Sequence, residues 1–144
     1  MSEWLSGQWE GPVRISTAIE EKWWERCERK RPGVYRLFAL RDGNTFEPMP
    51  LSRACGADDT GTIYVGASEN VFNRLGALVK EHRGDYRGKP HRPLADPLAE
   101  KFTPERLAFY WRFDDQPWQL EKAIVTAYEG VFGEPPPNNR QRPR

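Results

Sequence analysis

A chain of 144 residues has the length of one ordinary domain and can bury a core without disulfides or a structural metal. It is polar, 38% hydrophobic and 30% charged, yet six Trp, five Tyr and seven Phe supply enough large apolar surface to exclude disorder over the whole length. A net charge of +1 excludes the global basic field that marks some nucleic-acid binders by charge alone.

The two cysteines, Cys27 and Cys55, form no CxxC pair and no Cys/His cluster at zinc spacing, and such sparse thiols fit a cytoplasmic protein. Residues 1–10 contain no basic segment followed by an apolar run, so no signal peptide is expected. The apolar stretches are too short to span a bilayer. Charge is nonetheless uneven. Lys80, Arg83, Arg87, Lys89 and Arg92 crowd one segment against Glu81 and Asp85, and Arg140, Arg142 and Arg144 follow without an acid. By itself, each run reads as a solvated face or tail.

In chain order, residues 1–16 read as an irregular arm, with Trp4, Trp9, Gly7, Gly11 and Pro12. Thr17 with Glu20 forms a candidate capping box for a helix running through Trp23, Trp24 and Cys27 to about Lys30. Pro32-Gly33 ends it. The arm's tryptophans suggest either a contact surface for another protein or packing of this helix onto the domain, and packing is the simpler reading. Residues 34–40 are β-branched and aromatic, a strand signal, and Arg41-Asp42-Gly43-Asn44 is a turn. Residues 46–51 suggest a short edge strand interrupted by Pro48 and Pro50. After the punctuation of residues 58–61, residues 62–66 form the next strand.

Ser68 is a suitable cap for a helix in which Val71, Phe72, Leu75, Leu78 and Val79 keep helical spacing to about His82. Residues 84–97 read as a loop with partial helix. Residues 107–113 make a third strand. Pro117 suits the first turn of a helix that carries Trp118, Leu120, Ile124, Val125 and Tyr128 to Phe132, and Gly133 stops it. Three prolines, 135–137, force an extended segment before Asn138 and Asn139. The expected fold is α+β: a small, three-stranded, mostly antiparallel sheet flanked by helices, with an N-terminal helical arm. The expected division is an arm at 1–31, a domain at 32–140 and a basic tail at 141–144.

Gly33-Val34-Tyr35 opens one strand, Tyr64-Val65-Gly66 closes the next, and Glu121 lies early in the last helix. Singly these are ordinary: a glycine before a strand, a tyrosine in a sheet, a solvated glutamate. Arg74 is ten positions beyond Tyr64 on the intervening helix, flanked by Val71, Leu75 and Leu78. A guanidinium at the edge of an apolar helix face either snorkels to water or offers its planar fork to a phosphate.

Together, these residues resemble the GIY-YIG nuclease superfamily. Gly33-Val34-Tyr35 matches the first motif, Tyr64-Val65-Gly66 the second, Arg74 the helix arginine, Glu121 the metal-binding glutamate and Asn139, in preference to Asn138, the late asparagine. The match spans residues 33–139. Two positions depart from the pattern. Ala67 stands where a lysine is common, and Leu78 where His or Tyr is common. His82, a further turn along, is either a stand-in approaching the site or a surface histidine stabilised by the helix dipole. Residues 36–63 are longer than the corresponding stretch in compact members.

The resemblance implies an endonuclease that hydrolyses phosphodiester bonds, DNA being the favoured substrate, with Mg²⁺ or Mn²⁺ held by Glu121. Arg74 would stabilise charge on the phosphate. Tyr35 would act as general base or orient the water, with Tyr64 supporting it and Asn139 positioning neighbouring groups. Lys80, Arg83, Arg87, Lys89, Arg92 and Arg140 become candidate contacts to nucleic-acid phosphates. Target choice would rest on a protein partner or on substrate shape, since no separate reading module fits in the chain. The competing reading is a non-catalytic nucleic-acid-binding module of the same fold. All of this requires Tyr35, Tyr64, Arg74 and Glu121 to converge in space.

Overall fold

A computed structural model describes residues 5–26, 30–82 and 102–139. Its centre is a four-stranded antiparallel sheet built from β1 (Glu10–Arg14), β2 (Gly33–Ala39), β5 (Thr62–Ser68) and β6 (Leu107–Phe113) in the order β1-β6-β2-β5. A separate two-stranded hairpin joins β3 (Leu51–Arg53) to β4 (Gly56–Asp58). The helices are α1 (Ile15–Glu20), α2 (Val71–His82) and α3 (Pro117–Phe132).

The sheet thus has one strand more than the three expected. Residues 10–14, read as irregular because of Gly11 and Pro12, pair with β6 along the sheet's edge. An edge strand tolerates proline because its outward N–H has no ladder partner to lose. The N-terminal helix is also shorter than its sequence signals suggest. Thr17 lies inside α1 rather than capping it, Lys22 turns into the left-handed region at φ 52°, and a 3-10 turn covers Trp23–Glu25. Burial explains the break. Trp23 is 4% exposed and meets the rings of Phe109 and Trp111 edge-on at 5.2 and 5.5 Å. Inserting that indole between α2 and β6 outweighs the modest helix preference of the segment.

The edge strand expected at residues 46–51 reduces to an isolated bridge between Leu40 and Pro48, and the pairing moves downstream into the β3–β4 hairpin. Ser68 ends β5 instead of capping α2. Its Oγ accepts from the Asn70 N–H at 3.0 Å, and the Asn70 side chain accepts from the Asn73 N–H at 3.2 Å, the bond of an N-cap. α3 follows its sequence signals. Pro117 opens it, and Gly133 at φ 81° donates its N–H to the Glu129 carbonyl.

Strand alternation sorts the core onto two faces. Tyr35, Leu37 and Ala39 of β2 face Ile15, Ala18, Trp23 and the Val71, Leu75, Leu78 and Val79 stripe of α2. Val34 and Val65 face the other way, against Ile124, Val125, Tyr128 and Phe132 of α3. α2 and α3 therefore cover opposite faces. Trp9 and Trp24 also pack on these clusters, so the tryptophans described in the arm help build the core. Asp58 ties the hairpin to α3. Fully buried, it accepts from the Thr60 and Thr62 N–H groups, the Thr60 hydroxyl and the Tyr128 hydroxyl. No helix among the described residues is long and apolar enough to cross a membrane.

Candidate active site at the outer edge of the sheet

β5 is an edge strand, at the opposite side of the sheet from β1, so one side of its backbone has no strand neighbour. Asn139, 5% exposed in the 3-10 turn Pro137–Asn139, occupies part of that side. Its Oδ1 accepts from the Val65 N–H at 2.9 Å, and its Nδ2 donates to the Val65 carbonyl at 3.0 Å. The side-chain amide thus reproduces the paired bonds a neighbouring strand residue would make. It also fixes the chain that follows the three prolines against β5. Asn138, the alternative considered for this position, is buried but does not line the cleft described next.

Across the ladder Tyr35 is paired with Gly66. A methyl group built on Gly66 would lie 2.5 Å from Cζ and 2.6 Å from the hydroxyl oxygen of Tyr35. The missing side chain is therefore what lets the Tyr35 ring cross β5 towards the sheet's outer edge. Tyr64 lies alongside, with ring centroids 6.0 Å apart. A cleft of about 480 Å³ opens there. The sheet contributes Tyr35, Tyr64 and Ala67, α2 contributes Arg74, and α3 contributes Trp118, Gln119, Glu121, Lys122 and Val125. Asn139 completes the lining. Although α2 and α3 pack on opposite faces of the sheet, Arg74 and Glu121 share one cavity because it lies at the edge where both faces end.

The electrostatics set the Tyr35 hydroxyl apart from a phenol in water. Tyr35 is 2% exposed. Burial pushes its hydroxyl well above the ordinary phenol value; the nearby Tyr64, Glu121 and Glu81 push it further, and Arg74 only partly opposes them. Tyr35 is accordingly a neutral phenol at physiological pH, a hydrogen-bond donor as well as an acceptor.

His82 is not among the cleft-lining residues. Eight residues beyond Arg74, it is displaced by about 12 Å along the helix axis and turned about 80° from it. Nor is it a surface cation at a helix end. Burial lowers its pKa from 6.5 to about 4, and its Nε2 has no hydrogen-bond partner among the described residues. Glu81, which the sequence reading passed over, lies seven residues from Arg74, two helical turns along nearly the same face. It is 8% exposed, and its charge reaches Tyr35. That spacing is visible in the sequence, where Glu81 otherwise reads only as an acid within a basic run. Helical periodicity likewise gives no sign that Trp118, Gln119 and Lys122 line the cleft.

Lys80 is exposed on α2. Arg83, Arg87, Lys89, Arg92 and Arg140 lie outside the described residues, as do Trp4 and Cys27. Leu78 is 1% exposed and committed to the core, whereas Ala67 lines the cleft.

Among the described residues, no group of three or more His, Cys, Asp or Glu side chains is placed to hold a metal. Among the described residues that line it, the cleft offers one carboxylate, Glu121, beside two phenols. That donor set does not fit a closed zinc site. It fits a hard divalent ion that keeps most of its waters and completes its shell with substrate oxygens. No protein-family model, curated protein or solved structure matches the chain.

Proposed function

We propose that the chain is a metal-dependent endonuclease of the GIY-YIG type, hydrolysing phosphodiester bonds in nucleic acid, with DNA the favoured substrate. The observation that carries this reading is the convergence of Tyr35, Tyr64, Arg74, Glu121 and Asn139, distant in sequence, on one cleft. Phosphodiester hydrolysis needs an oriented water and charge stabilisation on the phosphoryl oxygens. Arg74 supplies a planar fork that matches phosphate. Lys122 adds a second cation in the same cleft as Ala67, the position where the resemblance leads one to expect a lysine. Glu121 would hold Mg²⁺ or Mn²⁺, which when bound lowers the pKa of water and neutralises phosphate charge.

The raised pKa of Tyr35 supports the water-orienting role over that of general base. A neutral phenol orients the water or donates to a phosphoryl oxygen; it does not stand ready as a base. Tyr64 limits the space around that ring, and Asn139 holds the cleft wall to β5.

A second reading, a non-catalytic nucleic-acid-binding module, is favoured by Ala67 and by the burial of Leu78, neither of which brings a functional group to the cleft. One experiment separates the two. Purified protein is incubated with Mg²⁺ or Mn²⁺ and a panel of end-labelled single-stranded, duplex and branched DNA and RNA. Cleavage is expected, with Glu121→Ala slowing it by a factor on the order of 10² or more while binding persists. Cleavage that survives excess chelator, or that Glu121→Ala leaves intact, overturns the nuclease reading. Binding without cleavage of any panel member establishes the second one.

A further inference from the structure

Trp118 is 52% exposed, in the first turn of α3. The other exposed aromatic among the described residues, Phe46, carries the Arg14 guanidinium 4.7 Å from its ring centroid, so one of its faces is occupied. Trp118 is three positions before Glu121 and therefore on the same side of the helix. It lines the cleft that holds Arg74 and Lys122. It also lines a second hollow of about 460 Å³, whose walls include Pro32, Pro117 and Gln119 together with the carboxylates of Glu69 and Asp115.

The indole thus stands between two compartments of opposite character. One presents Arg74 and Lys122 against the carboxylate of Glu121, and its two cations suit a phosphate. The other presents two carboxylates, two amides and two proline rings, and among the described residues its lining has no cationic side chain. The two carboxylates oppose a backbone phosphate there, while the hydrogen-bond donors of a nucleobase are suited to them.

We propose that Trp118 stacks on an unpaired base adjacent to the phosphate held by Arg74, so that the site takes single-stranded or locally unpaired nucleic acid. The position of the phosphate rests on the nuclease reading; the stacking requires only that the strand bind. In an intact duplex each base face is already covered by its neighbours, and a base reaches a side-chain platform only when it leaves the stack.

The test is binding in excess chelator, so that turnover plays no part. Anisotropy titrations compare a labelled single-stranded oligonucleotide with the same sequence as a blunt duplex, for wild type, Trp118→Ala and Trp118→Phe. The single strand is expected to bind more tightly. Trp118→Ala should weaken single-strand binding about tenfold and leave duplex binding within about threefold. Trp118→Phe keeps a π-face and should retain single-strand affinity within about threefold, while the part of the tryptophan emission that wild type loses on adding single strand no longer responds. Equal losses for both substrates, no loss, or no single-strand binding overturns the proposal. So does an emission change that persists in Trp118→Phe. Stacking that holds in a protein that cleaves nothing leaves this inference standing and removes the nuclease reading. Cleavage that needs Glu121 but ignores Trp118 does the reverse.

Discussion

Gly66 shows how much one absent side chain contributes. It is buried opposite Tyr35, and an added methyl would lie inside contact distance of two ring carbons and the hydroxyl oxygen of that tyrosine. The ring is itself 2% exposed and has little room to withdraw. Gly66→Ala is therefore expected to destabilise the protein by about 2 kcal/mol, the usual cost of overpacking a core, read from the urea midpoint at unchanged slope. Cleavage should fall further than the loss of folded protein accounts for, because the displaced group is the phenol that lines the cleft. A variant with wild-type stability and activity would show that the ring has another way across the strand. At this scale, the third position of the second motif is a steric requirement, since only glycine leaves the space that the tyrosine of the first motif occupies.

Among the secondary elements, the β3–β4 hairpin and α3 are joined through one carboxylate. Asp58 takes four hydrogen bonds, three from its own turn and one from Tyr128 at 2.8 Å, and that last bond is buried. Burial, with the carboxylate beside it, keeps the Tyr128 hydroxyl protonated and donating. Asp58→Ala strands several buried donors at once and is expected to cost about 3 kcal/mol. Tyr128→Phe removes one donor of the four and is expected to cost about 1 kcal/mol. Denaturant unfolding of both variants checks the ratio; equal losses would mean that the hydroxyl alone holds the junction. α2 teaches a related lesson about faces. Counting turns from Arg74 in steps of four leads through the buried Leu78 to His82, whereas the seven-residue step leads to Glu81, whose charge acts on Tyr35.

For the molecule as a whole, His82 sets a pH dependence of stability. Its pKa is near 6.5 in the unfolded chain and about 4 when folded, because burial disfavours the imidazolium. Between those values the unfolded state binds the extra proton. The stabilisation is fully present above about pH 6.5 and is lost as the pH falls towards 4. The loss amounts to at most about 3 kcal/mol. Urea unfolding at a series of pH values is expected to show this slope, and His82→Gln to flatten it. An unchanged slope in the variant would assign the acid sensitivity to carboxylates instead.

Several features were legible before any coordinates. Residues 107–113 and 117–132 carry strong periodicity and end signals, and they appear as β6 and α3 within those bounds. The antiparallel α+β character followed from the same patterns. Local signals failed where distant contacts compete with them. The helix expected as far as Lys30 stops at Glu20 because Trp23 is drawn into the core, and the Pro-containing arm becomes β1 because β6 offers it an edge.

Local pattern settles which chemical groups are present and, for most elements, where they ride, since periodicity and turn chemistry act over a few residues. It could not say that α2 and α3 lie on opposite faces, or that Arg74 and Glu121 meet nonetheless at the free edge of β5. Nor could it place Trp118 between a cationic cleft and an acidic hollow. Those facts depend on strand order and helix placement, which arise from burying both sheet faces at once, and no local pattern encodes a sum over the whole core.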